Sequence, residues 1–200
     1  MNSPLLNGTG TPYIDLHFHL AGQTVRVDHG YALFAAVSRF LPELHQTQDV
    51  RLALIRGRYV GSGQLQLLPR SRLTLRLPAD QTALYINLAG KVLDLDGCQI
   101  RVGVPYSQAL EPATALYAHI VTTKNGQEQE RFATEIQRQL EGHGCQGKIT
   151  VGKRRTFAVH AKQVAGYSLL VSELTAEESI TLQEQGLGGR GKMGCGFFQP

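Results

Sequence analysis

The sequence predicts an α+β fold of two tandem ferredoxin-like domains, each ordered β-α-β-β-α-β. Three observations predict it. Period-two and helical hydrophobic patterns alternate in that order, the order then runs a second time, and Val104–Pro112 (VPYSQALEP) is a natural linker between the runs. The expected boundaries are residues 1–103, a linker at 104–112 and a second domain at 113–200. No sequence repeat accompanies the recurrence; only the element order returns.

The first run opens at Tyr13–Ala21 (YIDLHFHLA). Ile14, Leu16, Phe18 and Leu20 alternate with Asp15, His17 and His19, the pattern of a half-buried strand. Asp28 is placed to cap a helix that carries Leu33, Phe34, Val37, Phe40 and Leu41 at helical spacing. Pro42 ends it, and Pro42–His45 (PELH) adds one further turn. Strands follow at Arg51–Arg56, at Gln64–Leu68 and at Leu73–Leu77; then come a short helix over Ala79–Leu88 and a strand or hairpin over Lys91–Gly103.

In the second run Ala115–Thr123 reads as a strand and Gln127–Leu140 as a polar amphipathic helix. Lys148–Val151 with Thr156–His160 reads as a strand or hairpin, and Val164–Val171 as another strand. Thr175 caps a helix over Ala176–Gln185, with Glu178 in the capping-box position. Gly186 stops that helix. A glycine-rich stretch and a short strand at Gly196–Phe198 complete the order.

Composition narrows the function classes. At 42% hydrophobic and 18% charged the chain can bury a core. Its apolar runs are too short to span a bilayer, and the N-terminal stretch MNSPLLNGTGTP shows no signal peptide. Cys98, Cys145 and Cys195 lie far apart with no C-x-x-C, which argues against a zinc site or disulfide framework and for a reducing, cytoplasmic compartment. No cofactor or metal is expected. Net charge is only +4, but its distribution is uneven. Val50–Ala79 contains six arginines (Arg51, Arg56, Arg58, Arg70, Arg72, Arg76) and no acid. Gly142–Ser172 holds Lys148, Lys153, Arg154, Arg155 and Lys162, again with no acid. Such segregation favours a polyanion-binding face over strand edges made merely soluble.

The stretch Gly186–Phe198 (GLGGRGKMGCGFF) satisfies both the dinucleotide and most of the Walker A pattern. Both patterns need a following helix, and only nine residues remain after Gly191, among them Gly194, Gly196 and Pro200. Met193 stands where Walker A needs a hydroxyl for magnesium. A nucleotide loop is therefore set aside.

A glycine-rich C-terminal loop in a double ferredoxin-like chain resembles the repeat-associated RNA-binding superfamily of CRISPR systems. The loop, the helix Asp28–Ser38 (DHGYALFAAVS) with Leu41–His45 (LPELH) beyond it, and the basic strand Gly152–Phe157 (GKRRTF) together resemble the sixth Cas family, the endoribonucleases that cut CRISPR precursor RNA. The resemblance implies a metal-independent cut on the 3′ side of a repeat stem-loop. The 2′-hydroxyl attacks the adjacent phosphate, leaving a 2′,3′-cyclic or 3′-phosphate and a 5′-hydroxyl. It implies CRISPR repeat RNA as the partner, a prokaryotic cytoplasm, and retention on the hairpin as a subunit of an effector complex. A non-catalytic hairpin-binding subunit of the same superfamily is the alternative. At Gly191 the resemblance leads one to expect a second basic residue.

Such a reaction needs a base for the 2′-hydroxyl, an acid for the leaving 5′-oxygen and cations for the phosphorane. By resemblance the catalytic histidine is His45, and a helix C-terminus favours the imidazolium that a general acid requires. His29, at the N-terminus of the same helix, suits a base, yet it points toward Ala36 and Phe40 and is equally a structural histidine. Tyr31 and Ser38 share a face, and either hydroxyl is positioned to orient the 2′-hydroxyl. Lys153, Arg154 and Arg155 are the expected phosphate grip, Lys153 and Arg155 on one side of the strand and Arg154 on the other. Gly188, Gly189, Arg190 and Lys192 are expected to hold the RNA backbone, the glycines by letting it reach main-chain N–H groups.

Overall fold

The structure, a computed structural model, describes residues 10–124, 126–160 and 162–200. The N-terminal stretch read as free of a signal peptide lies outside them as far as residue 9. The chain divides into two units, one spanning Tyr13–Ala109 and the other containing Leu110–Pro200. Among the described residues no helix is long and apolar enough to cross a membrane.

The first unit is built on an antiparallel sheet of order β3-β6-β1-β8-β7: β1 (Tyr13–Ala21), β3 (Arg51–Leu52), β6 (Arg72–Pro78), β7 (Val92–Leu95) and β8 (Cys98–Ala109). Strands β1, β3, β6 and β8 stand in the ferredoxin-like order, and β7 adds a hairpin edge. The alternation of β1 sets its register. Leu16 and Phe18 are buried opposite Leu75 and Leu73 of β6, while Asp15 and His17 face Arg76 and Thr74 on the other side. Helix α1 (Gly30–Phe40) contributes Leu33, Ala36 and Val37 to the core beneath β1, where each large apolar side chain stabilises by about 1.5–3 kcal/mol. The predicted short helix is a 3₁₀ turn, α2 (Thr82–Tyr85) and a second 3₁₀ turn, spanning Ala79–Leu88.

Three expectations change here. The N-cap of α1 is His29, one residue beyond Asp28. The stretch Val104–Pro112 is a strand, not a linker, as far as Ala109, because β8 keeps pairing with β1 through Phe18↔Pro105 and Ile14↔Ala109. The chain also forms a small separate sheet of order β2-β5-β4, with one strand ahead of α1 and two between β3 and β6: β2 (Thr24–Arg26), β4 (Arg58–Tyr59) and β5 (Gln64–Gln66). Strands β2 and β4 are too short for a periodicity signal.

The second unit has sheet order β10-β11-β9: β9 (Ala115–Val121), β10 (Lys148–Val159) and β11 (Lys162–Ser172). Helix α3 (Gln129–Gly142) buries Phe132, Ile136 and Leu140, one turn apart, against Leu116 of β9 and Leu169 of β11. Helix α4 (Ala176–Gln185) starts at the predicted capping box: Thr175 Oγ1 accepts from Glu178 N–H (3.2 Å), and Thr175 N–H donates to a Glu178 carboxylate oxygen (2.8 Å). Of the two readings of Lys148–His160, a strand or a hairpin, the structure has the single strand, bulged between Val151 and Arg154. The expected last strand, Gly196–Phe198, does not form as such. The tail lies along the free edge of β9 through a single bridge, Tyr117↔Gln199, and a Gly196 N–H bond to Ile120 O (2.8 Å). It thus takes the fourth-strand place without strand geometry, while Phe198 and Leu187 fill the core.

Candidate active site

The segment after α1 fixes where His45 stands. Pro42–His45 is a 3₁₀ turn with Pro42 at its first positions, and Leu41 and Leu44 are buried beneath it. These anchors turn His45 outward, where it is exposed. Its ring meets the edge of the Phe34 ring from α1 at 5.0 Å between centroids and 72° between planes. Below the turn Tyr85 is buried, and burial with Glu43 and Asp49 nearby raises its phenol above its usual range. His45 is therefore a solvent-facing imidazole on a braced turn.

His29 has the opposite surroundings. It is 2% exposed. Carbonyl oxygens only accept, so Nδ1 carries the proton and donates to Arg26 O (2.7 Å) and Val27 O (3.1 Å). Nε2 then accepts from Ile55 N–H (2.9 Å). Burial lowers its pKa and holds the ring neutral. Both ring nitrogens are used inside the fold, which favours the structural of the two readings of His29. Ser38 is also buried and cannot meet a substrate hydroxyl. Tyr31 is half-buried on the helical face it shares with Phe34, one turn away.

The acid-free Val50–Ala79 segment does not present all its arginines. Arg76 is 1% exposed and grips Asp15 with two bonds, at 2.7 and 2.8 Å. Arg51 sits close enough that burial, and then Arg76, bring its pKa down to about 10. Arg72 Nη1 donates to Pro69 O and Ser71 O. Arg56, Arg58 and Arg70 remain exposed. His17 lies 2.8 Å from Thr74 Oγ1 and packs with His19 around the Tyr106 ring; burial lowers its pKa. Sequence alternation placed both histidines on the polar face but gave no sign of the Tyr106 contact.

In the second unit the glycine loop is built into the sheet edge. A Cβ at Gly188 would strike Thr122 O, and one at Gly196 would strike Leu187 O; both residues also have positive φ. Gly188 N–H donates to Gln139 Oε1 (2.8 Å), and Gly189 N–H donates to Thr122 O (2.9 Å). These two donors are turned inward, so the expectation that they face a ligand is corrected: Gly188 allows close packing of the loop on the end of β9, and a side chain at Gly189 would meet nothing. The loop presents Arg190 outward instead. This exposed arginine holds a left-handed backbone, φ 64, a conformation costing a non-glycine residue roughly 1–2 kcal/mol. Lys192 is half-buried, which lowers its pKa, and Gly191 opens a short 3₁₀ turn.

Arg190 and Gly189 border an open cavity of about 880 Å³ whose other walls include Lys124, Arg138, Gln139 and Thr122. Arg138 pairs with Glu135 (2.7 Å), and Gln139 Nε2 donates to the same carboxylate (2.6 Å), which lowers the Glu135 pKa to about 2. Through its Oε1, which accepts from Gly188 N–H, Gln139 tethers α3 to the loop, a contact the helical pattern could not reveal. The cavity carries three cations to one acid and suits a phosphate-bearing ligand. The Cys195 thiol, buried, is pushed up to about 12 and is no nucleophile.

Lys153, Arg154 and Arg155 lie outside that cavity, on the edge strand β10. The bulge changes their directions. Arg154 pairs with Tyr167, on the side facing the helices, and Arg155 pairs with Gly166, on the other. Lys153 sits in the bulge itself, so strict alternation does not hold. Lys153 and Arg154 are exposed, and Arg155 is half-buried.

Comparison with known proteins places the chain. The Cas6 family model, described as Cas6 Crispr, matches residues 14–200. The CRISPR-associated endonuclease Cas6 of Myxococcus xanthus (strain DK1622) is 38% identical over 188 residues, covering 94% of this chain and 81% of that protein. Among solved structures, a Cas6-related protein from Pyrococcus furiosus superposes with TM-score 0.67 at 11% identity, covering 94% of this chain and 98% of that one. A RAMP protein binding different RNA substrates superposes with TM-score 0.64 at 11% identity and the same coverage.

Proposed function

The chain belongs to the Cas6 family of CRISPR-associated proteins, and from that premise we propose that it is the endoribonuclease that binds its own CRISPR repeat hairpin and cuts precursor RNA into guides. The observation that carries the reading is His45, an exposed imidazole on a braced turn beyond α1. The substrate's 2′-oxygen forms a bond to the adjacent phosphorus as the bond to the 5′-oxygen breaks. The 2′-hydroxyl proton leaves to a base, and His45 in its imidazolium form gives a proton to the departing 5′-oxygen. The products are a 2′,3′-cyclic phosphate and a 5′-hydroxyl, and no metal takes part. Tyr31, on the face of Phe34, orients the 2′-hydroxyl. Lys153, Arg154 and Arg155 hold the stem through its backbone, and Arg190 and Lys192 hold phosphate at the glycine loop. The protein acts in a prokaryotic cytoplasm and stays on the cut hairpin as a subunit of an effector complex.

The test is incubation with the cognate repeat RNA in chelator, with the product ends mapped. Wild-type protein is expected to cut and leave a cyclic phosphate. His45→Ala is expected to lower the single-turnover rate by roughly 10²–10⁴-fold while hairpin affinity stays the same. Cutting that requires magnesium would overturn the mechanism. An unchanged rate in the variant would remove His45 from it, and no cutting by wild type would leave the hairpin-binding subunit as the reading.

A further inference from the structure

The cavity beside the glycine loop has two unlike ends. At the first, Gln139 Oε1 ties α3 to Gly188, and Thr122 Oγ1 donates to Gly189 O (3.1 Å), so Arg138 of α3 and Arg190 of the loop line the same end. Lys124 is near enough to act on Glu135, the partner of Arg138. Three cations share one acid there. The second end is neutral. Gly126 lies so close to β11 that a Cβ would press on Ala165 O at 3.0 Å, and the buried Tyr167 donates its hydroxyl to Gln127 O (3.3 Å). The Tyr167 ring packs on Phe132 of α3, which fixes this support. Strand alternation puts Gln163 and Ala165 on the same face of β11 as Tyr167. Two exposed amides, Gln127 and Gln163, therefore line the neutral end with Ala165.

The backbone of Arg190 points to the same cavity. Its carbonyl accepts from Met193 N–H (2.8 Å) and Cys195 N–H (3.4 Å), which holds the left-handed turn whatever the side chain. Glycine, the residue on both sides of it, takes that conformation without strain. An exposed arginine kept there, at the cavity's edge, is placed for its guanidinium. The volume of about 880 Å³ falls within the range of small-molecule sites, about 300–1,000 Å³. A cationic end and an amide end in one cavity match a nucleotide, with phosphate at one and the hydrogen-bonding edge of a base at the other. A paired base is stacked between its neighbours and cannot enter; a base turned out of the stack can. An acidic protein segment would answer the arginines and leave the amides unused.

We propose that this cavity is a pocket for one nucleotide, its phosphate on Arg138 and Arg190 and its base edge on Gln127 and Gln163, and that the nucleotide is an unpaired one of the bound RNA. This rests on the hairpin-binding reading above, and its experiment separates the two. Affinity is measured for the repeat hairpin with its single-stranded flanks, blocked by a 2′-deoxy nucleotide at the cut, with each unpaired nucleotide in turn made abasic. Wild type is expected to lose roughly 3- to 10-fold at one position and little at the others. The double variant Gln127→Ala, Gln163→Ala is expected to bind the intact RNA more weakly by the same factor, and the abasic change at that position then to cost nothing further. Arg190→Gly is expected to flatten the log–log salt dependence by about 0.7 without lowering the melting temperature. The four nucleoside 5′-monophosphates, titrated against the protein without RNA, form the last arm. Absence of any position coupled to the two glutamines would overturn the assignment, as would an Arg190→Gly protein that melts earlier and keeps the wild-type salt slope. Monophosphate binding that the double variant abolishes, with no coupled position in the RNA, would give the pocket to a free nucleotide and overturn its RNA source. If wild type fails to bind the hairpin at all, the functional reading falls, while the monophosphates still decide the pocket.

Discussion

Helix α1 ends in two histidines with opposite fates. His29, at its start, is buried and spends both ring nitrogens on the backbone; His45, one short turn past its end, is exposed and touches one aromatic ring. The two ends are about 16 Å apart along eleven residues, so the pair does not converge on one bond. Helix-end electrostatics alone would give one histidine a base's role and the other an acid's. Burial decides otherwise. A neutral ring that donates from one nitrogen and accepts at the other is a structural clamp, whatever field surrounds it.

That contrast can be broken by exchanging what each histidine loses. The largest effect belongs to His45→Ala: the fall in cleavage rate given above, with thermal stability unchanged because the side chain is exposed. His29→Ala reverses the pattern. It leaves the Ile55 N–H and two carbonyls without partners in a buried site, and stability is expected to drop by about 2–4 kcal/mol, roughly 5–15 °C in melting temperature. Cleavage per folded molecule should change little. Denaturation followed in parallel with single-turnover cleavage checks both. A His29 variant that folds normally and cannot cut would restore it to the chemistry.

The pH dependence sharpens the same contrast more gently. Burial lowers the His29 pKa below the ordinary 6.5, so under acid conditions the unfolded chain takes up a proton that the folded chain refuses. Stability therefore rises with pH through that window. The contribution is complete above about pH 6.5 and is lost as pH falls toward the folded value, with a slope of at most about 1.4 kcal/mol per pH unit for this one proton. His17, also lowered by burial, acts in the same direction. Unfolding measured between pH 7 and pH 5 should show the slope, and His29→Gln should remove its share. An unchanged slope in that variant would mean that the clamp titrates as freely as a surface group.

How far the sequence could be read follows from how local each signal is. The alternation in Tyr13–Ala21 and the capping box at Thr175 and Glu178 are local, and both appear where expected. The glycine loop was placed in sequence, but the direction of its N–H groups depends on Gln139 and Thr122, 49 and 67 residues away. The extension of β8 through Ala109 depends on β1 as a partner, not on the composition of its own residues. Arg76 looked like part of a polyanion-binding face because nothing beside it in sequence is acidic; its acid is Asp15, 61 residues away. His45 was singled out only through family resemblance. Its brace by Phe34 needed the turn at Pro42 to bring the two rings together.

That brace supplies the smallest effect and a direct check on the role proposed for His45. An edge-on aromatic contact is worth about 0.5–1.5 kcal/mol beyond the area it buries, and here it limits where the imidazole can point. Phe34→Leu keeps an apolar side chain of similar reach and removes the ring. The cleavage rate is expected to fall about 2- to 10-fold with RNA affinity unchanged, and Phe34→Tyr is expected to restore it. A purely structural role would move melting temperature in both variants and leave the rate of the folded protein alone. If Phe34→Leu cut at the wild-type rate, the exposed turn would be sufficient by itself, and His45 would differ from His29 by burial alone.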